Sequence, residues 1–490
     1  MLTGAPSSGG VGGLIRRNPM LPVLVAGLGS IIVGWLAARS PMAAAGAIAA
    51  IIAVAIIARS PALWLAIGLL TIAASPDTLY GITAGKSLGN PQIWKGLLYV
   101  ALFPLLYLRG VRREYLLVFA AYGVATAMSR LAGTPVEGLS LGQTLSSLMT
   151  LCIAWIYVAV AWDWERDQVF LKVIAALPLV SVFLGLLLTP AGWSVFQSGS
   201  PPRLEGAAIS ALLGGVGVGA TSASIFLWRR SGWRPAIWLG LFSALCVFAS
   251  LGRGAIIALL MAGAPQAWRF MRHLLRQTGG WTYLKLLFGG LVLLVAVFAL
   301  ALPGLQKRAE TGVSYNAETR TLEKSAGSGR TDAWHSFYKL AEENLAFGRG
   351  MGAGPIAKIP QQGFTAQHNE YLRLLLELGY VGGLLVLFSM IIVLWRLVRS
   401  APAVVRPDAI ALVLAFAVYS ATDNTLTARH LAVALLGTLA IGVAPAWSRA
   451  TAPASDDEEQ EELDVPLDGG PAEPEPVGSG GRRLRPRYAG

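Results

Sequence analysis

Charge is scarce in this sequence. Only 13% of its 490 residues are Asp, Glu, Lys or Arg, against roughly 25% in a soluble globular chain. With 54% hydrophobic residues and a mean hydropathy of +0.58, that shortage excludes an ordinary soluble domain and points to a polytopic membrane protein. Cysteine is nearly absent too. Cys152 and Cys246 both lie inside apolar runs, with no C-x-x-C and no zinc spacing. No disulfide framework is expected, and both read as small buried hydrophobes. No cleavable signal is expected either, because Arg16 and Arg17 precede an apolar run too long for an h-region and further spans follow. The net charge of +12 would suggest nucleic acid in a soluble protein. Here the basic residues sit in short loops between apolar runs, so orientation in a membrane accounts for most of them and no nucleic-acid partner is expected.

What the chain does have is apolar runs. A bilayer-crossing helix needs roughly 20 mainly apolar residues. Runs that approach this lie near 20–38, 41–58, 61–75, 93–108, 116–133, 144–162, 169–189, 207–228, 235–251, 254–268, 284–303, 371–398, 408–423 and 430–446. They predict an all-α fold of about 12–14 transmembrane helices. The expected organisation begins with a cytoplasmic segment at 1–19 and transmembrane helices over 20–303. One large extracytoplasmic loop follows at 304–370, then the last three helices over 371–447 and a tail at 448–490. The tail is acidic and rich in Pro and Gly before a basic end, with too few apolar residues for a core, and reads as disordered and cytoplasmic.

Lys/Arg bias sets the orientation. With Arg16 and Arg17 inside, the loops holding Arg109, Arg112 and Arg113, then Arg229, Arg230 and Arg234, fall inside too. So do Arg269, Arg272 and Arg276, and later Arg396, Arg399 and Arg406, at the cost of lone outside charges at Arg39, Lys86 and Arg429. Arg203, Arg253 and the 304–370 loop then face outward. Nucleotide sugars are not available there in bacteria, so group transfer on that side needs a lipid-linked donor.

The large loop concentrates the chemistry. Thr331 or Asp332 can cap a helix whose apolar positions Trp334, Phe337, Tyr338, Ala341 and Leu345 predict an amphipathic surface helix, and Gly348 is a natural stop. The run Gly348-Arg349-Gly350-Met351-Gly352-Ala353-Gly354 has no preceding strand and no following GK[ST]. It is therefore not a nucleotide loop, and a tight, mobile turn is expected instead. His368 stands just before a helix capped by Asn369. The positive field of a helix N-terminus favours a neutral imidazole, which suits a general base. The competing reading is a histidine bonded to a loop carbonyl. Arg203, Arg253 and Arg330 each stand at an outer edge, where a guanidinium can bind diphosphate bidentately. Each alone could equally snorkel to lipid headgroups; the three together with a histidine favour a diphosphate site. Glu205, Asp332 and Glu370 are further candidates to orient the site. No carboxylate cluster with divalent-metal spacing lies on the outer side, so neither a metal nor a cofactor is expected.

The order of these features resembles the O-antigen ligase and Wzy-type polymerase superfamily of bacterial membrane glycosyltransferases. The matching pieces are R-x-x-G (Arg203, Gly206), S-x-x-R-G (Ser250, Arg253, Gly254) and G-R-x-x-x-W (Gly329, Arg330, Trp334). After them come G-x-G (Gly350, Gly352), H-N-x-Y-L (His368, Asn369, Tyr371, Leu372) and E-x-G (Glu377, Gly379). The resemblance implies a metal-independent, inverting transfer of glycan from undecaprenyl diphosphate to a sugar hydroxyl of a glycan or glycolipid acceptor. It implies His368 as base, Arg203, Arg253 and Arg330 on the diphosphate, and Asn369, Asp332 and Glu377 in support. It also implies a place in the bacterial inner membrane, among membrane lipids, with a chain-length regulator or flippase as a further partner. Family members usually carry Pro-Asn after the R-x-x-G, whereas Ala207-Ala208-Ile209-Ser210 stands here.

Two other classes compete. A lipid-linked oligosaccharide flippase should line its path with charge at mid-membrane and show paired halves, whereas charge here gathers on one face. A peptidoglycan glycosyltransferase also combines many spans with a large outer loop, but the H-N-x-Y-L and E-x-G ending argues against it. Nothing marks a lipid A-core site, which favours polymerase over ligase without deciding between them.

Overall fold

The computed structural model describes residues 110–191, 193–197, 202–207, 210–277, 313–316, 321–324, 330–356, 368–426 and 428–445. The expected spans near 20–38, 41–58, 61–75, 93–108 and 284–303, and the 448–490 tail, lie outside the described residues.

The described chain is mostly helical. In order come α1 (Leu117–Leu131), α2 (Leu141–Ala159), α3 (Trp164–Leu188), α4 (Ser210–Ser231), α5 (Pro235–Ala249) and α6 (Arg253–Gln277). Then follow α7 (Arg330–Glu342), the single turn α8 (Ala353–Ile356), α9 (Glu370–Ser400) and α10 (Arg406–Ser420). The last are α11 (Arg429–Ala432), a π-helical turn at Val433–Gly437 and α12 (Thr438–Gly442). Two antiparallel ladders add to the expected helices: β1 (Phe196–Gln197) with β2 (Arg203–Leu204), and β3 (Val313–Asn316) with β4 (Thr321–Lys324). The polar loop thus holds a β-ladder as well as a helix.

Local chemistry explains the helix starts. Ser140 and Gln143 form a reciprocal capping box at α2, and the Asp163 carboxylate accepts the Glu165 N–H at 2.9 Å to open α3. Helices α3 and α9 are long and apolar enough to cross a membrane. Phe183, Trp238, Leu245, Phe388 and Trp395 are each more than half exposed on the outside of the bundle. Small residues let the helices approach: a Cβ on Gly219 would lie 2.7 Å from the Ala434 carbonyl oxygen. Apolar side chains outward and glycine at the crossings is a surface that lipid tolerates and water penalises.

The two ends of the bundle differ. At one end Arg230 donates to the Gly442 and Ala444 carbonyls and stacks over Trp164, while Arg269 pairs with Asp408 at 2.9 Å. Arg229 reaches the Val404 carbonyl and Arg406 the Ala401 carbonyl at that same end. At the other end lie the turns after α1, α3, α5 and α10 and the start of α9.

Candidate active site

The site end is built on a helix that changes direction. Helix α9 breaks at Gly379, whose φ of +67° is left-handed. The break frees the carbonyls of Leu376 and Glu377 from the helical ladder. Chain from the 343–354 loop takes them: Arg349 N–H donates to Leu376 O at 2.7 Å and Gly350 N–H to Glu377 O at 3.1 Å. Tyr380 and Val381 N–H donate in return to the Leu345 and Ala346 carbonyls. On the opposite side Thr134 and Val136 N–H donate to Gly348 and Arg349 carbonyls, and Ser129 Oγ donates to Glu377 O at 2.6 Å. Gly348, Gly350 and Gly352 all have positive φ. The glycine run, expected to be a mobile turn, is a wedge bonded on two sides between α1 and α9. Glycine is required because a Cβ on Gly348 or Gly379 would strike backbone.

Helix α7 docks on the same region. Its Ala333, Phe337 and Ala341 are buried against Leu376, with Leu372 and Leu375 beside them. Tyr338, expected on the apolar stripe, is exposed. Arg330 and Asp332 occupy the first turn of α7, which starts at Arg330 and so slightly before the expected cap.

His368 precedes α9 with φ +48°, a left-handed conformation rare for any residue but glycine. Asn369 caps the helix, its side chain accepting the Tyr371 and Leu372 N–H groups at 3.0 and 3.1 Å. The half-buried imidazole sets Nδ1 at 3.3 Å from Oδ1 of Asp423 in the turn after α10. With Nδ1–H donated to that carboxylate, Nε2 keeps its lone pair. Asp423 is itself held by the Asn424 N–H at 2.8 Å. The same turn receives the start of α6, where a Cβ on Gly254 would collide with Thr422. Arg253, the exposed first residue of α6, therefore stands beside the turn that carries Asp423. Leu251, two residues earlier, is the other non-glycine residue with positive φ among the described residues.

The remaining candidates are placed differently. Arg203, half-buried on β2, opposes Gln197 in a hairpin that packs against α4 and α5. Glu377 lies about 12 Å further along α9 than the Asn369 cap, at 1.5 Å per residue, and faces inward. Its carboxylate meets Arg373 Nε at 3.2 Å and Gly354 N–H at 3.3 Å rather than the imidazole. Arg373 in turn pairs with Glu370 at 3.4 Å. Among the described residues no group of three or more His, Cys, Asp or Glu converges as a metal site. Asp423 and Arg373 were not singled out from the sequence. Asp423 sits among ordinary turn residues in Ala421-Thr422-Asp423-Asn424. Arg373 had a usable signal: Glu370, Arg373 and Glu377 are three charges on one face of an otherwise apolar helix.

Residues 238–387 match the O-antigen ligase family model, a match that supports a glycosyltransferase-like role in polysaccharide assembly. The matched stretch contains Arg253, Arg330, His368 and Glu377, while Arg203 and Asp423 fall outside it. No curated protein matches the chain.

Proposed function

We propose that this chain is an inner-membrane glycosyltransferase. It moves glycan from an undecaprenyl-diphosphate-linked donor to a sugar hydroxyl on the extracytoplasmic face. The observation that carries the reading is the His368–Asp423 pair next to the Arg253 turn, at the opposite end of the bundle from Arg230, Arg269 and Arg406. Basic residues gathered at the far end support a cytoplasmic placement of that end, and so an outward-facing site.

In the proposed step the acceptor O–H gives its proton to Nε2 of His368 as its oxygen attacks the anomeric carbon. The bond from that carbon to the diphosphate oxygen breaks, and the leaving diphosphate takes the electron pair. Asp423 holds the imidazole by Nδ1 and stabilises the imidazolium that forms. Arg253, with Arg203 and Arg330, stands for the charge on the leaving group. Attack from the face opposite the diphosphate inverts the anomeric centre.

A deletion strain tests the class of activity. It should accumulate the lipid-linked glycan donor on the outer face of the membrane and lack the transferred product, and the wild-type gene should reverse both. Lipid-linked glycan trapped on the inner face would identify a flippase instead.

A further inference from the structure

Beside the candidate site lies a charged cluster that the proposed step does not use. Glu370, Arg373 and Glu377 share one face of α9 and are at most 3% exposed. Two carboxylates and one guanidinium buried in an apolar helix are costly, and apolar residues of similar size would often pack as well or better. What the cluster holds gives it a use. Glu370 Oε1 accepts the Leu426 N–H at 2.8 Å. Glu370 is two residues past His368, and Leu426 is three residues past Asp423. That single bond therefore joins the two segments that supply the imidazole and its carboxylate partner. The Tyr371 hydroxyl, donating to the Ala417 carbonyl at 2.8 Å, ties the same helices one residue further on. Arg373 Nη1 steadies Glu370 Oε2 at 3.4 Å, and Arg373 Nε meets Glu377 Oε1 at 3.2 Å. Glu377 Oε1 also accepts the Gly354 N–H of the glycine wedge at 3.3 Å.

We propose that Glu370 and Arg373 are positioning residues for the transfer reaction. Glu370 clamps the His368 turn to the Asp423 turn, and Arg373 couples that clamp to the glycine wedge through Glu377. The inference rests on the reading of His368 as the base. His368 is held in a left-handed conformation, which persists only where its surroundings over-determine it. The Glu370–Leu426 bond is one such constraint.

The test uses detergent-solubilised full-length protein, with undecaprenyl-diphosphate-linked glycan extracted from the deletion strain as donor. Glu370→Ala, Glu370→Gln and Glu370→Met are each measured alone and with His368→Ala, per amount of folded protein. Glu370→Ala should lower kcat by roughly ten- to a hundredfold, with donor KM shifting less than about twofold. Glu370→Gln keeps an oxygen for Leu426 and leaves Arg373 paired one to one with Glu377, so it should recover most of kcat. Glu370→Met fills the volume without an acceptor, should behave as Ala, and replaces it if Ala does not accumulate. In the His368→Ala background none of the three should slow the residual rate further. Equal slowing in both backgrounds, or Gln as slow as Met, would reduce the cluster to a fold element and overturn the proposal alone. Undiminished transfer by His368→Ala would remove the base assignment and this proposal with it.

Discussion

Asp423 Oδ1 lies 3.3 Å from Nδ1 of His368, although 55 positions separate the two residues in the chain. The pair leaves Nε2 as the open nitrogen. Asp423→Asn keeps the shape and an acceptor oxygen but loses the charge that stabilises an imidazolium. Transfer should fall, and by less than the roughly 10²–10⁴-fold attributable to the base itself. Wild-type rates from Asp423→Asn with normal protein levels would remove the carboxylate from the site.

Gly254 is read as a contact residue, needed for the close approach of α6 to the Thr422 turn. Gly254→Ala should destabilise by about 1–3 kcal/mol through overpacking. Thr422→Ala removes the hydroxyl that the new methyl meets, so the double variant should regain part of the loss in a thermal melt. Independent, additive effects would mean that the two residues do not touch.

At Gly379 two costs combine: a left-handed φ of +67° and backbone of Ala346 and Phe347 against the missing Cβ. Gly379→Ala should cost at least about 1–3 kcal/mol and loosen the 343–354 wedge. Hydrogen exchange at Arg349 and Gly350 amides should rise. Unchanged protection there would show that the wedge does not depend on the break in α9.

These cases mark what the sequence made legible. Long apolar runs located α3 and α9, the two described helices long and apolar enough to cross a membrane, because a run of about 20 apolar residues leaves a signal that no local exception erases. The start of α9 was legible for a local reason, since Asn369 caps the helix it precedes. Asp423 was not, because its role comes from a partner 55 positions away and its own neighbours are plain turn residues. The glycine wedge was misjudged for a related reason. Glycine spacing announces unusual backbone angles, but only the break at Gly379 supplies the carbonyls that fix the loop in place. The two ladders were invisible, being as short as two residues per strand in β1 and β2.

The proposed orientation rests on the basic end of the bundle and is open to labelling. With Cys152 and Cys246 first replaced by serine, a single cysteine at Ser314 should react with a membrane-impermeant thiol reagent in intact cells. One at Ser400 should react only after the membrane is opened. The reverse pattern would place the His368 end in the cytoplasm and contradict an outward-facing transfer.

The central claim is that His368 takes the acceptor proton, and one comparison tests it most directly. His368→Ala and His368→Gln are each measured for glycan transfer from undecaprenyl-diphosphate-linked donor, with donor binding and protein level followed in parallel. Gln keeps a polar side chain that can hydrogen-bond but cannot serve as a base at neutral pH. Both variants should lose transfer by roughly 10²–10⁴-fold while still inserting and still binding donor. Wild-type transfer by His368→Gln would contradict the account, because the imidazole would then orient the acceptor without accepting its proton.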